Sequence, residues 1–155
     1  LYSNTTGYNN NAIGGYALYS NTTGYSNNAI GSYALRFNTT GNSNNAIGSN
    51  AGNYIADGTT HNETSSKSVF IGNDTKALND GDVNEIVIGY NAIGKGSNTA
   101  VIGNTNNLAV YLSGQAVISS YASNPATGIT GGIYFNTTDN HFYGYNGTAW
   151  KQLDN

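Results

Sequence analysis

The chain has 155 residues and a formal net charge of −3, with only 8% charged residues. Counts of 27 Asn, 21 Gly, 17 Thr and 14 Ser sum to 79, so half the chain is small and polar. Five Lys and Arg cannot build the basic surface that drives nucleic-acid binding. No apolar run approaches the roughly 20 residues of a membrane-spanning helix, and without Cys there is neither a disulfide framework nor a thiolate metal site. Met is missing even at position 1, which reads as a piece of a longer polypeptide.

Gly, Asn, Thr and Ser are poor helix formers, and no window carries apolar residues at the spacing of one helical face; the composition predicts an all-β chain. Three copies open it: residues 1–17 read LYSNTTGYNNNAIGGYA, 18–34 read LYSNTTGYSNNAIGSYA, and 35–51 read LRFNTTGNSNNAIGSNA. An apolar pair followed by Gly then persists at Phe70-Ile71-Gly72, Val87-Ile88-Gly89 and Val101-Ile102-Gly103, with intervals between Ile residues of 17, 17, 24, 17 and 14. A disordered tract has no reason to hold Ile-Gly in phase, whereas fixed-period self-similarity is the mark of a solenoid. Each unit reads as one coil: a short strand around the apolar pair, a tight turn at Gly, and a return through Asn-Thr-Thr-Gly, whose residues suit turns. Stacked coils place Ile over Ile and Asn over Asn at about 4.8 Å. The long interval near 50–68 predicts an insertion that loops out without shifting the stack.

Adjacent strand residues face opposite sides, yet both members of the pair are apolar. Ile13, Ile30, Ile47, Ile71, Ile88 and Ile102 are expected to fill the coil. Ala12, Ala29, Ala46, Val87 and Val101 then face outward and require cover by another chain. Four or five apolar side chains per coil make a thin core, so a shared core between copies is predicted.

These Ala-Ile-Gly and Val-Ile-Gly units with Asn, Ser and Thr turns resemble the head repeats of trimeric autotransporter adhesins (YadA-like heads), which also occur in bacteriophage tail fibres. The best match is the run Asn98-Thr-Ala-Val-Ile-Gly103. The resemblance covers residues 1–112 and implies a left-handed parallel β-roll in which three chains pack around an axis. The 17-residue period of the first copies exceeds the family's spacing, which lies nearer the 14-residue step from Ile88 to Ile102; extra turn residues absorb the difference.

Residues 113–131 form a low-repeat connector holding the only proline, Pro125. Within 132–155, segments 133–137, 141–145 and 149–153 read as three short strands, joined by turns at Asp139-Asn140 and Asn146-Gly147. This part resembles the small antiparallel β-meander that closes phage tail fibres and related surface proteins, a cap for the repeat array.

Enzyme signals are poor, and no catalytic residues are assigned. His61 with Glu63 reads as a solvated loop, and Asp139 beside His141 as a turn. Asp80, Asp82 and Asn84 alternate as oxygen ligands do in calcium loops, but the full loop pattern is absent, so a Ca2+ site competes with a polar turn between coils. The recurring Tyr2/Tyr19, Tyr8/Tyr25 and Tyr16/Tyr33 either stack on one another over an inter-chain groove or present flat rings to glycans. Tyr143, Tyr145 and Trp150 are candidates for receptor binding and equally for packing. Asn4, Asn21, Asn38 and Asn136 match glycosylation acceptors but read as turn residues. The sequence thus predicts a homotrimeric fibre segment with no cofactor, extracellular on a virion tail fibre or a bacterial surface, which binds a host-surface receptor, a saccharide or protein, multivalently. A filament component without receptor binding is the alternative.

Overall fold

A computed structural model describes residues 1–106, 110–111, 116–126, 128 and 130–154. The chain divides into two compact units, Leu1–Val110 and Tyr111–Asn155. Among the described residues every regular element is a strand, and no helix is long and apolar enough to cross a membrane. The expected boundary at 112–113 lies outside the described residues.

In the first unit, six three-residue strands stack in sequence order as one parallel sheet: β1 (Asn11–Ile13), β2 (Asn28–Ile30), β3 (Asn45–Ile47), β4 (Val69–Ile71), β5 (Ile86–Ile88) and β6 (Ala100–Ile102). The chain is a β-solenoid. Ile pairs with Ile across every step, including the 24-residue one from Ile47 to Ile71, so the insertion leaves the register untouched. The excursion closes on itself through an antiparallel bridge between Tyr54 and His61.

Two corners set the coil. The residue two before each strand is left-handed throughout, at Asn9, Ser26, Ser43, Lys67, Asn84 and Asn98, with φ between 54° and 63°. After each strand the chain turns at glycine. Gly31, with φ of 137°, shows why: a Cβ there would sit 2.4 Å from the Gly48 carbonyl oxygen of the next coil. Conformation and close approach both exclude a side chain.

The interior differs from the expectation in one respect. The middle residue of the strand points inward: Ala29, Ala46, Phe70 and Val87 are fully buried, with Ala12 and Val101 half-buried. The Ile row faces outward, from 62% exposed at Ile13 to 37% at Ile71, with Ile88 half-buried. The assignment of Ile13, Ile30, Ile47, Ile71, Ile88 and Ile102 to the core, and of Ala12, Ala29, Ala46, Val87 and Val101 to the outer face, is therefore reversed. The cause is the opposite wall. Leu18 and Leu35 reach into the coil from the return path, both fully buried, and leave room only for Ala facing them. Where Gly52 takes that position, Phe70 fills the space: a Cβ on Gly52 would lie 2.7 Å from its ring. Close packing of this kind tolerates few voids.

Polar ladders complete the interior. The amide of Asn38 donates to the Asn21 side-chain oxygen at 2.8 Å and to the Gly41 carbonyl at 3.0 Å. Asn21 does the same toward Asn4 and Gly24. A second row runs Asn10, Asn27, Asn44, Ser68 and Glu85; the side-chain oxygen of each of the first four accepts the backbone N–H of the next. The Asn side chains of these two rows are tolerated inside because the rows supply their hydrogen-bond partners.

In the second unit, β8 (Ile133–Asn136), β9 (His141–Tyr145) and β10 (Trp150–Gln152) pair antiparallel in order. β7 (Ser120–Tyr121) adds a parallel edge to β8 from within the expected connector. Asn146 accepts the N–H groups of Thr148 and Ala149, and Gly147 takes φ of 99°, as the turn requires.

Candidate functional site

The outer face of the six-stranded sheet runs through every coil of the first unit. Its third strand position is Ile in every coil. Its first position changes along the stack. In β1 to β3 it is Asn11, Asn28 and Asn45, linked by amide-to-oxygen bonds of 2.7 and 2.8 Å. In β4 to β6 it is Val69, Ile86 and Ala100, so this half of the face is apolar throughout.

Beyond the Gly corner lie the aromatic ladders. Tyr2 stacks on Tyr19 at 4.9 Å, and Tyr16 on Tyr33 at 5.2 Å, with rings within 2° of parallel. Tyr16 also meets Tyr19 at 5.4 Å, which joins the two rows. Arg36 occupies the place of the next Tyr after Tyr19. Its guanidinium lies 5.3 Å from the Tyr33 ring centre and 4.6 Å from that of Phe37. Phe37 in turn stacks on His61 at 3.4 Å, with Tyr54 tilted against both. The aromatic surface thus runs from the first coil into the insertion. Tyr8 and Tyr25 stack separately at 5.0 Å.

Tyr143 and Trp150 are brought together around a residue the sequence did not single out, Tyr134, only 1% exposed, and Tyr145 meets Trp150 at 5.2 Å. Trp150 meets it edge-on at 4.8 Å and Tyr143 stacks on it at 5.5 Å. The Trp150 ring N–H donates to the Pro125 carbonyl at 3.1 Å. The Tyr143 hydroxyl donates to the Asp139 carboxylate at 2.8 Å, a bond that holds its pKa above the ordinary tyrosine value. All three rings are half-buried, and this geometry is that of a small aromatic core.

The acidic stretch serves the turns. One Asp80 oxygen, Oδ1, accepts the N–H groups of Glu63 and Thr64, each at 2.8 Å. Asp82 accepts from the Asn79 N–H and from Ser97, and Asn84 donates to Asn98. Among the described residues no three His, Asp or Glu side chains gather as a metal site. The sequence missed Glu85. It is fully buried, accepts the Gly96 N–H at 2.8 Å through Oε1, and leaves Oε2 without a partner. Burial raises its pKa, opposed by the Gly96 N–H and reinforced by the charge of Asp82. The signal was available: Glu85 stands where the other coils carry Asn, Ser or Thr.

His61 Nδ1 lies 3.7 Å from Glu63, and His141 Nδ1 lies 3.4 Å from Asp154, each pair partly exposed. Compared with protein-family models, curated proteins and solved structures, the chain matches none, so what it does rests on the surfaces described above.

Proposed function

We propose that this chain is a segment of an extended extracellular fibre, a distal phage tail fibre or a bacterial surface adhesin. Three copies associate side by side through the Ile-bearing face and bind a host-surface receptor, a saccharide, multivalently. The observation that carries this reading is the in-register outward row of Ile in all six coils, widened by Val69 and Ile86 in the later ones. A lone chain leaves that row in water at a cost of about 25 cal/mol for each Å² that association would cover. A left-handed roll and a C-terminal meander acting as a cap belong to the same reading, as does the absence of any catalytic step. Three weak sites on one rigid assembly raise overall affinity by orders of magnitude.

Sedimentation tests it. A species near three times 16.2 kDa is expected. Ile47→Asn together with Ile71→Asn should shift it to monomer, with strand signal in circular dichroism retained because both side chains are exposed. A folded wild-type monomer at micromolar concentration would end the shared-face reading. A trimer that binds neither cells nor glycans would favour a purely structural filament.

A further inference from the structure

Beside the end of the aromatic surface is a shallow groove of about 440 Å³ lined by Thr59, Thr60, His61, Glu63 and Asp80. We infer that this groove binds a neutral oligosaccharide, and that the receptor contact lies here on the flank of the coils, not at Tyr143, Tyr145 and Trp150. This rests on the adhesive reading for its class of ligand and goes further by assigning the site.

Three features support it. First, the groove is built rigidly. The Asp57 carboxylate accepts the N–H groups of Thr59 and Thr60, each at 2.8 Å, and those bonds, with the Thr60 hydroxyl first among them, hold its pKa at about 2. Asp80 pins the other side through Glu63 and Thr64. Second, the wall contributed by His61 is continuous with flat rings. His61 lies against Phe37, Phe37 contacts Tyr54, and Arg36 bridges to Tyr33. Such surfaces pack against the C–H faces of pyranose rings; His61 is the ring that reaches the groove itself, where Thr59, Thr60, Glu63 and Asp80 supply the polar groups. Third, the polar groups are the kind that read hydroxyls. Ionised carboxylates only accept hydrogen bonds. Among the described residues the Glu63 carboxylate takes none, and its nearest basic neighbour is His61 at 3.7 Å. Glu63, Asp80 and Asp57 together repel an anionic sugar, which selects the neutral class. In the second unit the ring N–H of Trp150 and the hydroxyl of Tyr143 are already engaged.

The test applies the full chain to an array of neutral hexose and N-acetylhexosamine oligosaccharides beside sialylated and uronic-acid ones, then measures the Kd of the best-retained probe by calorimetry. Retention of neutral probes is expected. Glu63→Gln and His61→Ala should each weaken binding about tenfold or more, and Trp150→Ala should leave it within twofold. Should His61→Ala lower the melting temperature, Glu63→Gln decides, since that side chain is partly exposed and makes no hydrogen bond among the described residues. Retention confined to acidic probes overturns the groove assignment. So does neutral binding that both groove substitutions leave intact, which spares the adhesive reading. A wild-type chain that binds no glycan removes both.

Discussion

Coils one to three and coils four to six build the same sheet from different side chains. The first three carry Asn outside and Ala inside. The later three carry Val69, Ile86 and Ala100 outside and Phe70, Val87 and Val101 inside. The interior polar row changes too, from Asn27 and Asn44 to Ser68 and then Glu85. Three things survive the change: the left-handed residue before the strand, the glycine after it, and the outward Ile. Near-identity of the first copies is therefore more than the backbone needs. The corners hold the register, and the side chains between them are free to diversify within the volume that the opposite wall leaves.

That comparison breaks most severely at a corner. Gly31→Ala should cost about 3 kcal/mol or more, since it combines a strained φ with a clash against backbone. Gly15→Ala, one residue past the equivalent corner with only a side-chain atom 3.7 Å away, should be nearly neutral. Chemical denaturation of both variants checks the contrast, and equal losses would refute the primacy of the corner. Next comes the interior row. Asn44→Ala leaves the buried Ser65 carbonyl and Ser68 N–H unpaired and should cost about 2–4 kcal/mol. Asn44→Ser, the residue that coil four uses, should recover part of that loss in the same assay.

The smallest effect concerns Glu85, where the later coils depart furthest from the first. Its folded pKa is raised, so the stability it contributes is fully present below the unfolded carboxylate value and is lost as pH rises through the folded one. The wild-type melting temperature should then fall as pH rises above the ordinary carboxylate range, and Glu85→Gln should flatten that fall and raise the value on its alkaline side. A variant with the same pH profile as the wild type would place the titration elsewhere.

Much of this fold was legible in the repeat. The Ile-Gly phase located all six strands, and the seven extra residues between Ile47 and Ile71 located the excursion. Asn146-Gly147 located a hairpin. The inside–outside choice was not legible, because two apolar neighbours satisfy alternation either way. What decided it was Leu18 and Leu35, which turn inward from left-handed backbone with φ of 48° and 47°, a conformation that leucine does not advertise. β7 escaped because Ser120 and Tyr121 gain their pairing from Phe135 and Asn136 far along the chain. His61 read as a solvated loop because nothing local points to Phe37, 24 residues earlier. The candidate groove is assembled from such distant partners.

The excursion after the third coil has a use of its own. It leaves and rejoins the stack at Ile55, which still pairs with Ala77 of the next coil, and Thr60, and these two are joined by a backbone hydrogen bond of 3.0 Å. The gap to be bridged is therefore fixed by the scaffold, and loop-closure entropy grows only slowly with the length of what bridges it. The position behaves as a socket: foreign segments of varied length, inserted there, should be displayed on the coil while the rungs above and below keep their alignment. On the adhesive reading proposed above, a lineage under pressure to change its ligand exchanges this one plug and inherits the remaining coils unaltered.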